Sequence, residues 1–185
     1  MSERLRQQGR PDWEVAALTR LGHSGERGLH AVAFVSQRNA PIRFGRQPTG
    51  AKWTLWGMLF GPPLIVLNAA RAELMRQGRD AWTLSAIAHE VKHYEQGFWV
   101  ALSVYGELEA WQLQIQVLRD LGAPPRHAAY LAIEQLPLTH DPAVLREAAR
   151  LMREASPGYR SDLLPLNPLP YTLRSAWQRW WGGKG

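Results

Sequence analysis

Three side chains in Ala88-His89-Glu90-Val91-Lys92-His93-Tyr94-Glu95-Gln96 have the types and spacing to do chemistry together. They form the pattern H-E-x-x-H. On a helix, residues four apart lie on one face, so His89 and His93 can present two imidazoles to one divalent cation, zinc being the usual choice. Glu90 falls on the edge of that face. There it can take a proton from a water on the metal without binding the metal itself. The pattern has meaning only on a helix, and the flanking residues predict one. Asp80 is a good N-cap, Leu84, Ile87, Ala88 and Val91 repeat at i, i+3, i+4 and i+7, and Gly97 stands where a helix should stop. The competing reading is a core helix that happens to carry two histidines.

A third ligand is needed, and its type separates the possibilities. A further histidine in H-x-x-G-x-x-H spacing is ruled out, because Gln96 and Trp99 occupy the glycine and last histidine positions. A glutamate on a following helix is available in Tyr105-Gly106-Glu107-Leu108-Glu109-Ala110-Trp111. Glu107 and Glu109 are about 200° apart on a helix, so only one can face the metal. Helical content continues to Asp120 and stops at Leu121-Gly122-Ala123-Pro124-Pro125.

A-H-E-x-x-H-x-x-Q followed by E-x-x-A resembles the minimal gluzincin-type zinc metallopeptidases over roughly residues 63–122. The resemblance implies a zincin-like α+β fold, a small, mostly antiparallel sheet packed on the active helix, and an exposed strand that holds a peptide substrate. It implies Zn2+ held by His89, His93 and Glu107, with Glu109 the second choice, and peptide hydrolysis by a zinc-bound water that Glu90 activates. The family often has an aspartate four residues after the ligand glutamate, where it accepts a hydrogen bond from a ligand histidine. This chain has Trp111 there, and an indole only donates. The acceptor must then be a backbone carbonyl, Asn68 or a distant carboxylate. Gln96 is a candidate supporting group. Tyr105, Tyr94, His127 and His140 are candidates by type for donating to a reaction oxyanion.

The chain's 185 residues suit a single domain, with a core over about 29–122 and a helical extension over about 126–185. Cysteine is absent, which excludes disulfides, thiolate ligands and a thiol nucleophile. The formal charge of +6 is spread among acids rather than gathered in runs, so no specific nucleic-acid partner is expected. Met1 to Arg10 is polar and basic, unlike a secretory signal, which points to the cytoplasm. The uncharged stretch from Trp53 to Ala70 is interrupted by Gly57, Gly61, Pro62, Pro63 and Asn68, which argues against a membrane span.

In chain order, Asp12 to Leu18 predicts a helix ending near Gly22. Leu29–Val35, Ile42–Phe44, Trp53–Trp56 and Leu64–Leu67 predict strands, and Ala70–Gln77 a short helix. Arg126–Gln135 and Asp141–Ala155 predict helices, the second opened by a cap and Pro142 and closed by Ser156-Pro157-Gly158. Leu163–Pro170 reads as an extended strap. Tyr171–Trp181 carries Trp177, Trp180 and Trp181 among Arg174 and Arg179. Two roles compete for it: a helix sealing the core, or peripheral membrane contact. Besides a peptidase acting on peptide or protein substrates, a non-catalytic zinc-stabilised domain using its tryptophan-rich face to bind a partner or membrane fits the same residues. The oligomeric state is not encoded in any motif.

Overall fold

The computed structural model describes residues 1–46, 51–53 and 61–182. The fold is α+β, with a small three-stranded sheet and many helices. The first three helices are α1 (Ser2–Gln7), α2 (Asp12–His23) and α3 (Glu26–Gln37). Strands β1 (Ile42–Gly45), β2 (Ala51–Trp53) and β3 (Ile65–Asn68) follow, and then α4 (Ala72–Arg76). The helix bearing the motif is α5 (Ala81–Gln96), and the short α6 (Phe98–Ala101) leads into α7 (Val104–Asp120). The chain ends with α8 (Ala128–Gln135), α9 (Pro142–Ala155) and α10 (Leu169–Gly182).

Two expectations about the first half need correction. Leu29–Val35 is not a strand but the middle of α3. Gly28, Ala31, Val32 and Val35 are buried while Leu29 is exposed. That is a 3.6-residue repeat, and the wish of two valines for an extended backbone yields to the packing of that stripe. The sheet is mixed rather than mostly antiparallel. Its order is β1-β3-β2, with β1 parallel to β3 and β2 antiparallel to it. β3 takes the centre, paired on both sides, and turns Ile65 and Leu67, both fully buried, to the core. Of the strand expected over Trp53–Trp56, Trp53 ends β2 and the rest lies outside the described residues.

The hydrophobic residues gather into two clusters. One joins α1–α3, the sheet and the apolar stripe of α5, with Leu84, Ile87, Ala88 and Val91 in it. The other joins α7, α8 and α9 through Val104, Leu108, Trp111, Ile133, Leu145 and Met152. α5 and α7 lie against each other where the clusters meet.

The C-terminal part corrects a third expectation. The strap is shorter than its prolines suggest, because α10 already begins at Leu169. Pro165 and Leu166 use their carbonyls to accept from Val104 N (2.9 Å) and Tyr105 N (3.1 Å), satisfying two of the free N–H groups at the start of α7. Among the described residues, the large apolar side chains of α10 stay largely open rather than sealing the core. Tyr171 stacks on His140 at 3.8 Å, but Leu173, Trp177 and Trp180 are 70%, 61% and 71% exposed. Among the described residues no helix is long and apolar enough to cross a membrane.

Candidate metal centre

α5 starts as its sequence requires. The Asp80 carboxylate accepts from Thr83 N at 3.0 Å and Thr83 Oγ1 at 2.6 Å, and Arg71 donates to it at 2.7 and 2.9 Å. Asp80 is buried. Burial pushes its carboxyl up, but the hydrogen bonds from Arg71 and Thr83 outweigh that and hold it below the usual range. The helix ends at Gly97, whose φ of +72° is left-handed and suits glycine. Between these ends lie His89, Glu90 and His93, all buried.

α7 supplies the third group. Ser103 caps it, accepting from Gly106 N at 3.1 Å. Gly106 is pressed against α6: a Cβ there would stand 2.0 Å from the Val100 carbonyl oxygen. This close approach sets where the first turn of α7 lies, and so where Glu107 points. The Glu107 Oε2 atom is 3.5 Å from both His89 Nε2 and His93 Nε2, and the two imidazole nitrogens are 3.0 Å apart. Three donors at about 2.1 Å from one zinc in tetrahedral array would be about 3.4 Å apart. The observed triangle is close to that, so the residues present fit a divalent ion of this size.

The electrostatics agree with a cation site. Burial pushes the His93 imidazole down, but the Glu107 carboxylate, Glu90 and a hydrogen bond to Gln96 raise it to about 9. Burial pushes Glu107 up, and the two histidines reverse this and hold it far below the usual carboxylate range. A carboxylate held ionised at this depth gives a cation a charged donor.

The acceptor missing from position 111 is found at Gln96. His93 Nδ1 lies 3.0 Å from Gln96 Oε1. The amide is fixed because its Nε2 donates to Gly106 O at 2.8 Å and to Glu109 Oε2 at 2.9 Å, both of which only accept. Gln96 therefore accepts from His93 Nδ1–H, which leaves Nε2 as the nitrogen that a cation would take in place of a proton. Glu109 is engaged here and by Lys92 Nζ at 2.7 Å, away from the triangle. His89 is held differently: among the described residues its buried Nδ1 has no hydrogen-bond partner, and its ring stands edge-on to Trp111 at 6.2 Å.

The other candidates are elsewhere. Asn68 caps the turn after β3, accepting from Ala70 N. Tyr94 bonds the backbone of Leu64, and His127 caps α8. Tyr105 stacks on His140 at 4.4 Å. The residue that sequence reasoning missed is Tyr159. Its hydroxyl donates to Glu107 Oε2, and its ring packs edge-on to Trp111 at 5.4 Å. Burial and the Glu107 charge push its phenol well above its ordinary value, so it stays a donor at neutral pH. A tyrosine just past a Ser-Pro-Gly break, 52 residues from its partner, gives no sequence signal of this role.

A cavity of about 320 Å³ opens onto the triangle, lined by Ala51 and Lys52 of β2, by His89, Glu90, His93 and Glu107, and by Gly158, Tyr159, Arg160 and Leu164. A larger groove, about 920 Å³ beside α1 and α2, shares no residue with it. Size does not locate this site; the donor chemistry does. No protein-family model, curated protein or solved structure matches the chain.

Proposed function

We propose that the protein is a zinc-dependent peptidase of the gluzincin type with a zincin-like fold. The observation that carries this reading is the buried triangle His89, His93 and Glu107 with Glu90 beside it, opening onto a cavity. Three protein donors leave a coordination position for chemistry, whereas structural zinc sites are closed by four. That distinction favours the enzyme over a metal-stabilised binding domain.

His89, His93 and Glu107 would hold zinc, which when bound supplies a Lewis acid and makes a water acidic enough to be deprotonated near neutral pH. Glu90 takes the proton from the attacking water and returns it to the leaving amine. Tyr159 donates a hydrogen bond to the oxygen on which negative charge develops. Gln96 keeps His93 in the tautomer that binds. Among the described residues β2 is an edge strand, and Ala51 and Lys52 border the cavity. This nearness suits β2 to the role that the resemblance gives to a strand beside the site, that of holding a peptide substrate.

The test is metal analysis of the purified protein together with a peptide-library digest, for wild type and Glu90→Gln. Zinc near one per chain in both, with cleavage only in wild type, supports the proposal. A folded wild type that takes up no zinc sinks it, and zinc without cleavage of any peptide moves the reading to the binding domain.

A further inference from the structure

We propose that α10 is an in-plane anchor to an anionic lipid surface. On a helix of 100° per residue, Leu169, Trp180, Leu173 and Trp177 fall at about 0°, 20°, 40° and 80°, one narrow stripe. Each is exposed, with 45%, 71%, 70% and 61% of its surface open. Arg174 lies about 60° past one edge of the stripe and Arg179 about 80° past the other. No acidic residue occurs after Asp162, while Arg174, Arg179 and Lys184 do, so the end of the chain is purely basic within a chain of net charge +6.

This pattern selects among occupants. A second copy would bring one basic tail against another, with like charges facing across the contact. A nucleic acid would use the arginines and leave Leu173 and Leu169 in water. An anionic bilayer satisfies both sets: indoles and leucines enter the headgroup–acyl boundary, and arginines bond lipid phosphates. The helix has 14 residues, about 21 Å, too short for a hydrocarbon core of about 30 Å, so it would lie flat. α10 also rests against α6, where Trp99 is exposed as well. The stacking of Tyr171 on His140 and of His140 on Tyr105 ties the start of α10 to the start of α7. A bound anchor would therefore hold the cavity near the membrane.

The full-length protein is floated with vesicles of phosphatidylcholine alone and of phosphatidylcholine with phosphatidylglycerol, at low and high salt. Co-flotation with the mixed vesicles only, weakened by salt, is expected. Trp177→Ala with Trp180→Ala should weaken it about tenfold per indole, and Arg174→Glu by more than about fivefold. Zinc content and thermal melting should not change. Failure to float with mixed vesicles, equal binding to neutral ones, or lipid-free dimers that the tryptophan substitutions dissolve would each overturn the proposal. The lipid and salt arms use wild type alone, so they decide the matter even if a variant misfolds. They also decide it whether or not the protein proves to be a peptidase.

Discussion

Gln96 accepts the Nδ1 proton of His93 at 3.0 Å while its own amide bridges Gly106 and Glu109 on the next helix. One side chain thus holds His93 Nδ1 and ties α5 to α7. Gln96→Ala should weaken zinc binding about 10–100-fold. A competition titration against a zinc-binding dye would read this, and helical content by circular dichroism should hold. Unchanged affinity would mean that the tautomer is fixed by something else.

Tyr159 donates to Glu107 Oε2 as the structure stands, and under the proposed function its hydroxyl turns to the developing oxyanion. Tyr159→Phe keeps the ring against Trp111 and removes only the hydroxyl. Turnover should fall about 10²–10³-fold, with zinc content near that of wild type. Equal loss of zinc and activity would make Tyr159 a support for Glu107 instead.

Gly106→Ala would force a Cβ into the Val100 carbonyl oxygen, which is backbone and cannot swing away. α7 must shift, carrying Glu107 with it. The expected cost is about 1–3 kcal/mol of stability, seen in thermal or urea melts, together with weaker zinc binding. Ala110→Gly, one turn on, loses helix propensity and a buried methyl but creates no clash, and should leave zinc affinity close to wild type.

Asp80 makes stability depend on acid. Its folded pKa is depressed, so its contribution is complete above the unfolded value of about 3.9 and is lost as pH falls through the folded one. Asp80→Asn should cost about 1.5–3 kcal/mol at pH 7, the worth of hydrogen bonds to a buried charge. The gap to wild type should close below about pH 4. Urea melts across that range would read it, and a gap that stays constant with pH would refute the charge argument.

Much of the centre was legible in the chain because it is local. Asp80, the stripe from Leu84 to Val91 and Gly97 define α5 from near neighbours, and the helix brings His89 and His93 together by itself. Glu107 required one more step, a turn and a second helix, and it is Glu107 rather than Glu109 that lies 3.5 Å from both imidazoles. What could not be read depends on contacts distant in sequence. Tyr159 reaches Glu107 only because α9 returns the chain over the site. The reading of Leu29–Val35 as a strand failed because β-branched content was weighed above the spacing of Gly28, Ala31, Val32 and Val35. The parallel pairing of β1 with β3, beside the antiparallel one of β2, was not legible because pairing partners, unlike strand composition, leave no trace in a short apolar run.

The two hydrophobic clusters meet where α5 lies on α7, and the would-be ligands come from both sides: two from the helix of the first, one from the helix of the second. A cation there would be a rivet through a seam. Stripping it should let the halves breathe, with amide exchange quickening along the join well before either half melts.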